Sequence, residues 1–164
     1  MIDADDKDLD TVTVAETGLG RFQVEVMAAG ATFLADEPTE AGGLGSGPNP
    51  YDLLASALGA CTAMTLRLYA ARKAWPLDRV IVRVLHSRVA LTARDRFARE
   101  ITLEGQLDAD QRHRLLAIAE RCPVHRTLEG GADIVSVLAQ PPDLAEPHPS
   151  NESHMRDMVD ACAD

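Results

Sequence analysis

The chain has 164 residues, of which 46% are hydrophobic, and its formal net charge is −10. This length suits one domain with a sizeable core, and the hydrophobic content argues against overall disorder. The negative charge argues against nucleic acid as a default partner. The charge is uneven: residues 1–10 sum to −4, residues 11–139 to −1 and residues 140–164 to −5. We therefore expect a flexible acidic N-terminus (1–10), a domain (11–139) and an acidic C-terminal extension (140–164).

Three short strands are predicted in the first part of the domain. Residues 11–15 have weak strand character, residues 21–26 alternate between apolar and polar side chains, and residues 31–35 form a third apolar stretch. Glycines separate these segments and favour turns. Residues 36–47 contain Pro38 and four glycines, which indicates a loop.

A long central helix follows this loop. Asn49 can cap it, Pro50 fits its first position, and Asp52 lies at the positive end of its dipole. The helix is expected to end near Lys73. Residues 53–66 carry no charge, and these 14 residues are fewer than the roughly 20 needed to cross a bilayer. We therefore expect the central helix of a soluble core, closely packed on both sides, with no membrane partner.

The second half of the chain predicts a long hairpin, a helix and a last strand. Residues 79–90 and 97–107 alternate, residues 109–121 have helical spacing after Asp108, and residues 133–138 are mostly apolar. Together with the first half, this order predicts an α+β fold with mostly antiparallel sheets around a long central helix.

The tail contains apolar residues at helical spacing, namely Met155, Met158, Val159 and Cys162. They are compatible with a short amphipathic helix that docks on a partner. Because the surrounding tail is acidic, disorder is the preferred prediction. Nothing near Cys162 activates its thiol, so we expect this cysteine to be incidental.

The three cysteines form an odd set, and the sequence shows no signal peptide, so a disulfide framework is not expected and the cytoplasm is predicted. Cys61 lies about 11 residues into its helix, too far from the N-terminus for the dipole to act on it. On its own it would be an inert buried thiol. As a nucleophile it would need a cation, and Arg21, after a glycine turn, is the best-placed candidate.

Cys122 has a different setting. Pro123 either stops the preceding helix or opens a short new one with Cys122 as its cap. In the second case backbone N–H groups, His125 and Arg126 would favour a thiolate. The alternative is a small buried residue before a helix break.

A metal site is a rival use for two of these cysteines. Cys61, His86, Cys122 and His125 are candidate ligands, but they lack the short spacings of common zinc sites.

Two segments resemble the OsmC/Ohr family of osmotically induced and organic-hydroperoxide-resistance proteins. They are residues 47–62 (GPNPYDLLASALGACT) and residues 122–128 (CPVHRTL). The resemblance covers about residues 11–139, and residues 64–70 (MTLRLYA) look like the general OsmC branch.

The resemblance implies an intertwined homodimer and a thiol-dependent peroxidase that acts on organic hydroperoxides and hydrogen peroxide without a metal or cofactor. Cys61 would be the peroxidatic residue and Cys122 the resolving one. A dithiol or lipoyl-type reductant would then restore the pair. Arg21 would be the activating arginine.

This sequence departs from the Ohr pattern at one position. Ohr members carry a Glu ten residues before the peroxidatic cysteine, where this chain has Tyr51, and the nearby acid is Asp52. Asp52 is therefore the candidate to position Arg21. The departure also motivates an alternative function, a non-peroxidase that binds a small apolar or acyl ligand in the dimer-interface cleft.

Overall fold

The computed structural model describes residues 11–90, 92–138 and 153–163. These residues divide into two compact units. The first contains residues 11–52, 133–138 and 153, and the second contains residues 53–132 and 154–163 apart from position 91. Most of the two expected acidic ends, residues 1–10 and 139–152, lies outside the described residues.

The first unit contains a three-stranded antiparallel sheet in the order β1 (Val12–Glu16), β2 (Val24–Ala28), β3 (Ala31–Ala35). Ala29 and Gly30 join β2 to β3, both with positive φ, of 48° and 78°. Such a two-residue turn matches the twist of the strands it connects. The three predicted strands are confirmed, although β2 begins three residues later than expected.

A buried carboxylate organises the loop after β3. Asp36 is only 3% exposed and accepts hydrogen bonds from the backbone N–H groups of Glu37, Leu44 and Ser46 and from the Ser46 hydroxyl. Burial raises the pKa of Asp36, but these hydrogen bonds outweigh it, led by that of the Ser46 side chain, and hold the pKa below its ordinary value. The loop is thus built around one anion.

The long helix, α1 (Pro50–Arg72), begins with a reciprocal cap. The Asn49 side-chain oxygen accepts from the N–H groups of Tyr51 and Asp52 at 2.9 and 3.0 Å, and Asp52 Oδ2 accepts from the Asn49 N–H at 3.1 Å. Two backbone donors and the cap residue's own N–H are satisfied in this way. The predicted start and end of the helix are confirmed to within a residue.

Burial on α1 is confined to one face. The buried residues are Leu58, Cys61, Thr62, Thr65, Leu66, Tyr69 and Ala70. Met64, on another face, is 53% exposed. The prediction that the helix packs closely on both sides is therefore wrong for the described residues of this single chain. By length and composition alone α1 could cross a membrane, but core helices of soluble proteins share these properties.

The second unit adds an antiparallel hairpin of β4 (Leu77–Ser87) and β5 (Arg96–Gly105). Val84 lies opposite Arg99, and Val82 opposite Ile101. The predicted long hairpin is confirmed, with both strands displaced by one to three residues towards the N-terminus.

Two further helices continue the second unit. α2 (Ala109–Ala119) starts with a capping box between Asp108 and Gln111. α3 (Pro123–Gly130) has Cys122 as its N-cap, so of the two alternatives for Pro123 the structure shows the new helix. Leu66, Leu115 and Ile118, each at most 1% exposed, lie at the centre of the main core.

The tail helix α4 (Ser153–Ala161) packs on the same chain. Its side of the contact contains Met158, Ala161 and Cys162, all at most 5% exposed. Arg72 donates to the carbonyl of Val159 at 3.0 Å, and Arg121 donates to that of Ala163 at 2.9 Å. The expectation of disorder is thus wrong for residues 153–163, because a buried apolar face and two arginine contacts hold the helix.

The last predicted strand, residues 133–138, does not form. Its apolar side chains remain exposed, with Ile134 at 89% and Val135 at 75%. The pattern of side chains is that of a strand, but a strand needs a neighbour for its backbone hydrogen bonds. No described strand of this chain pairs with the segment.

The role of Asp36 predicts that Asp36→Asn lowers the free energy of unfolding at pH 7, because an amide presents a donor where only acceptors fit. Urea unfolding measures this, with the exposed Glu40→Gln as control. Since the pKa of Asp36 is lowered in the folded state, its contribution is present above about pH 4 and is lost as the pH falls further. Equal stability of the wild type and Asp36→Asn at pH 7 would contradict this role.

Candidate active site

Two cysteines from different elements meet inside the second unit. Cys61 lies on the buried face of α1, and Cys122 caps α3. Their sulfur atoms are 2.8 Å apart, and the side chains are at most 2% exposed. Both are free thiols, so one S–H lies against the other sulfur. A disulfide between them would need only a small rearrangement.

Local sequence explains why the start of α3 faces the sulfurs. Pro123 has no N–H, so Val124 supplies the first free backbone donor of the helix. That N–H lies 3.5 Å from Cys61 Sγ. The N-terminus of α3 therefore presents backbone dipoles to both cysteines.

The two thiols titrate as a strongly interacting pair. The hydrogen bond from Cys61 lowers the pKa of Cys122 to about 6, against burial and with help from the backbone of His125 and the Thr62 hydroxyl. The same hydrogen bond raises the pKa of Cys61, and burial raises it further. One thiolate therefore forms readily, whereas a second beside it is strongly disfavoured. The anion is favoured on Cys122.

Each cysteine has a threonine hydroxyl near it. Thr62 Oγ1 lies 3.8 Å from Cys122 Sγ and donates to the Leu58 carbonyl at 2.7 Å. Thr65, one helical turn after Cys61, is fully buried, and its hydroxyl acts to lower the pKa of Cys61. It makes no conventional hydrogen bond among the described residues, so a Cys61 thiolate would give it an acceptor.

An arginine missed by sequence reasoning links these parts. Arg99, on β5, has a side chain only 8% exposed. Its Nη1 donates to Thr62 Oγ1 and to the Ala119 carbonyl, both at 2.9 Å. Its Nη2 donates to Glu120 Oε1 at 3.0 Å and to His125 Nδ1 at 2.9 Å. Because arginine can only donate, His125 Nδ1 must accept, which assigns the ring proton to Nε2.

A signal for Arg99 existed in the sequence. Phe97, Arg99, Ile101 and Leu103 occupy one face of the alternating strand, and the other three are apolar. A charged residue in an apolar face must find partners inside the protein.

A cavity of about 330 Å³ lies beside the cysteine pair within the second unit. Leu58, Phe97 and Leu128 line it. Leu58 belongs to the buried cluster that contains both cysteines, and Phe97 and Leu128 pack against that cluster. Arg99, Glu120 and His125 form part of its polar wall. A small apolar molecule with one polar end would match this lining.

The other two predicted site residues belong to the first unit. Arg21 is exposed and lies over the Phe22 ring, with its guanidinium carbon 5.1 Å from the ring centroid. Asp52 is exposed and caps α1 through one carboxylate oxygen. The structure brings Cys61 and Cys122 together in the second unit, and it describes Arg21 and Asp52 separately in the first.

The rival metal ligands have other partners. His86 Nε2 lies 2.8 Å from Asp95 Oδ1, and its ring is stacked near that of Phe97. In the part of the chain that the structure describes, no group of three or more His, Cys, Asp or Glu side chains is arranged around a common point.

The profile of the family described as OsmC-like protein matches residues 43–136. A search of curated proteins finds no match. A search of solved structures finds an osmotic stress induced and detoxification response protein from Psychrobacter arcticus, with a TM-score of 0.64 at 21% identity, covering 73% of this chain and 88% of that one.

Two other solved structures are similar. An OsmC-like protein from Mycoplasma pneumoniae has a TM-score of 0.63 at 19% identity, covering 76% of this chain and 89% of the other. An organic hydroperoxide resistance protein from Legionella pneumophila has a TM-score of 0.57 at 22% identity, covering 74% and 90%. These similarities establish the fold, and since the family profile spans more than half of the sequence, the chain belongs to the OsmC-like protein family.

Proposed function

We propose that this protein is a thiol-dependent peroxidase that reduces organic hydroperoxides and hydrogen peroxide through two cysteines. The observation that carries the proposal is the 2.8 Å separation of the buried Cys61 and Cys122 sulfurs at the N-terminus of a helix. The name of the similar Legionella pneumophila protein supports a role with hydroperoxides.

The first step uses the single negative charge of the pair. The Cys61 thiolate attacks the terminal oxygen of the hydroperoxide, the O–O bond breaks, and Cys61 becomes a sulfenic acid. The leaving alkoxide takes the proton that lay between the two sulfurs, which gives the alcohol and leaves Cys122 as a thiolate.

The second step closes the disulfide. Cys122 attacks the sulfur of the sulfenic acid, an S–S bond forms, and hydroxide leaves. A dithiol, which can be a lipoyl-type group, then reduces the disulfide by exchange. The reaction requires no metal or organic cofactor.

Arg21 and Asp52 complete the proposed site. At rest the charge is favoured on Cys122, so attack by Cys61 requires a cation that draws the anion onto Cys61. We assign this role to Arg21. Asp52 caps α1 through Oδ2, and its other carboxylate oxygen would position the guanidinium.

We place the protein in the cytoplasm, where reducing conditions keep thiols free, and we propose that it forms a homodimer. A second chain would supply a pairing partner for the exposed residues 133–138, which pair with no described strand of their own chain. Light scattering at known concentration tests the assembly, and a monomer throughout the micromolar range would exclude it.

The cavity supports a second candidate function, the binding of a small apolar or acyl ligand without peroxidase activity. Leu58, Phe97 and Leu128 give it an apolar wall. Native mass spectrometry of the purified protein distinguishes the two. A bound acyl compound together with no peroxide consumption would favour the binding function.

The peroxidase proposal predicts that Cys61→Ser reduces consumption of cumene hydroperoxide with dithiothreitol by at least 100-fold, because the sulfenic acid on Cys61 can no longer form. Cys122→Ser should still form a sulfenic acid on Cys61, trapped by dimedone and detected by mass spectrometry. Cys162→Ala, which removes the third thiol, serves as the matched control and should keep its activity. Turnover that survives Cys61→Ser would exclude the mechanism.

The proposed role of Arg21 predicts that Arg21→Gln lowers kcat/KM for cumene hydroperoxide by about 10–100-fold, which corresponds to about 1.4–2.7 kcal/mol. Arg83→Gln is the control, since Arg83 is exposed and pairs with Glu100 at the surface of the hairpin. Similar kcat/KM values for the two variants would show that Arg21 does not activate Cys61.

A further inference from the structure

The Thr62 hydroxyl lies between a buried cation and a thiol. Its oxygen accepts from Arg99 Nη1 at 2.9 Å, and Cys122 Sγ lies 3.8 Å away. The same oxygen is 2.7 Å from the Leu58 carbonyl. A threonine hydroxyl has one proton, so this proton can be directed at the carbonyl or at the sulfur, but not at both.

The charge on Cys122 decides between these two acceptors. A neutral thiol is a weak acceptor, and the hydroxyl then donates to Leu58. A thiolate forms a charge-assisted hydrogen bond, which is shorter and stronger, so the hydroxyl turns towards it. Arg99 remains a donor to Thr62 in both states, because its guanidinium does not lose a proton.

Arg99 also holds the chain on both sides of Cys122. It binds the carbonyl of Ala119 and the carboxylate of Glu120 before the cysteine, and His125 after it. These contacts connect the end of α2 to the first turn of α3. Arg99 therefore helps to hold the α3 backbone donors in their orientation towards the sulfurs.

We infer that Arg99 is the positioning residue for the Cys122 thiolate, which it stabilises through the Thr62 hydroxyl and by holding the N-terminus of α3. This positioning role does not depend on the proposed function. Only the assignment of the Cys122 thiolate to the resolving step rests on it. In that step the Cys122 sulfur is oxidised and forms the S–S bond, the Cys61 sulfur is reduced as its S–O bond breaks, and the released hydroxide takes a proton from solvent.

The ionisable groups around Cys122 come from several elements. Cys61 faces it from α1, and Arg99 approaches from β5. Glu120 and His125 bind Arg99, and Glu129 Oε2 lies 3.4 Å from His125 Nε2. Arg99 is the only arginine among these groups, and the two carboxylates are largely exposed.

The test measures thiolate absorbance at 240 nm against pH in the reduced Cys162→Ala protein. We expect half-ionisation of one thiol near pH 6. Arg99→Gln should raise this midpoint by at least one pH unit, and Thr62→Val should also raise it. Arg99→Lys keeps a cation at this position, so its midpoint should lie between those of the wild type and Arg99→Gln. Arg83→Gln is the matched control and should leave the midpoint unchanged.

A rapid-quench experiment with one equivalent of cumene hydroperoxide provides a second measurement. At pH 6–7, Arg99→Gln should slow disulfide formation by at least about two- to fivefold, which is the fall in thiolate fraction that a midpoint raised by one pH unit produces. Sulfenic acid formation, which uses the same single charge of the pair, should slow by no more than this factor. An unchanged absorbance midpoint in folded Arg99→Gln, or in Thr62→Val if Arg99→Gln does not fold, would overturn the inference. Wild-type protein that titrates near pH 6 but is not oxidised by the peroxide would instead contradict the proposed function alone.

Discussion

The site depends on one proton held between two buried sulfurs. Cys61 and Cys122 are 2.8 Å apart and almost fully shielded from solvent, so the pair can lose one proton easily and the second only with difficulty. A buried pair of this kind holds a single negative charge near neutral pH. This charge is what a thiol needs for nucleophilic attack, and the remaining proton is available to a leaving group.

The surrounding fold supplies what this charge requires. α1 contributes Cys61 with two buried threonines and no charged residue between positions 53 and 66. α3 contributes backbone N–H groups, because Pro123 starts the helix directly after Cys122. β5 contributes Arg99, whose four hydrogen bonds fix the relation between α1, α2 and α3. Behind the site, Cys162, directly after α4, packs into the main core and donates to the Thr65 carbonyl.

Local patterns in the sequence predicted the sheets, the hairpin and the long helix, because alternation, caps and turn residues act over short distances. The cap at Asn49 and the helix opened by Pro123 are examples. Long-range partners were not predictable in this way. The segment 133–138 has the side chains of a strand but no neighbour among the described strands. Disorder was expected for α4 because its apolar face stabilises the helix only when it packs against the core. Arg99 was overlooked because a single cation in an alternating strand resembles a surface residue unless its face is identified first.

The central claim is that these two cysteines form one redox unit, and disulfide mapping after limited oxidation tests it most directly. Reduced protein would receive one equivalent of cumene hydroperoxide at pH 7, followed by thiol blocking, non-reducing digestion and peptide mass spectrometry. We expect one Cys61–Cys122 disulfide per chain, with Cys162 recovered as a thiol. Recovery of Cys61 and Cys122 as unmodified thiols, or of Cys61 as sulfinic acid beside a free Cys122, would contradict the account.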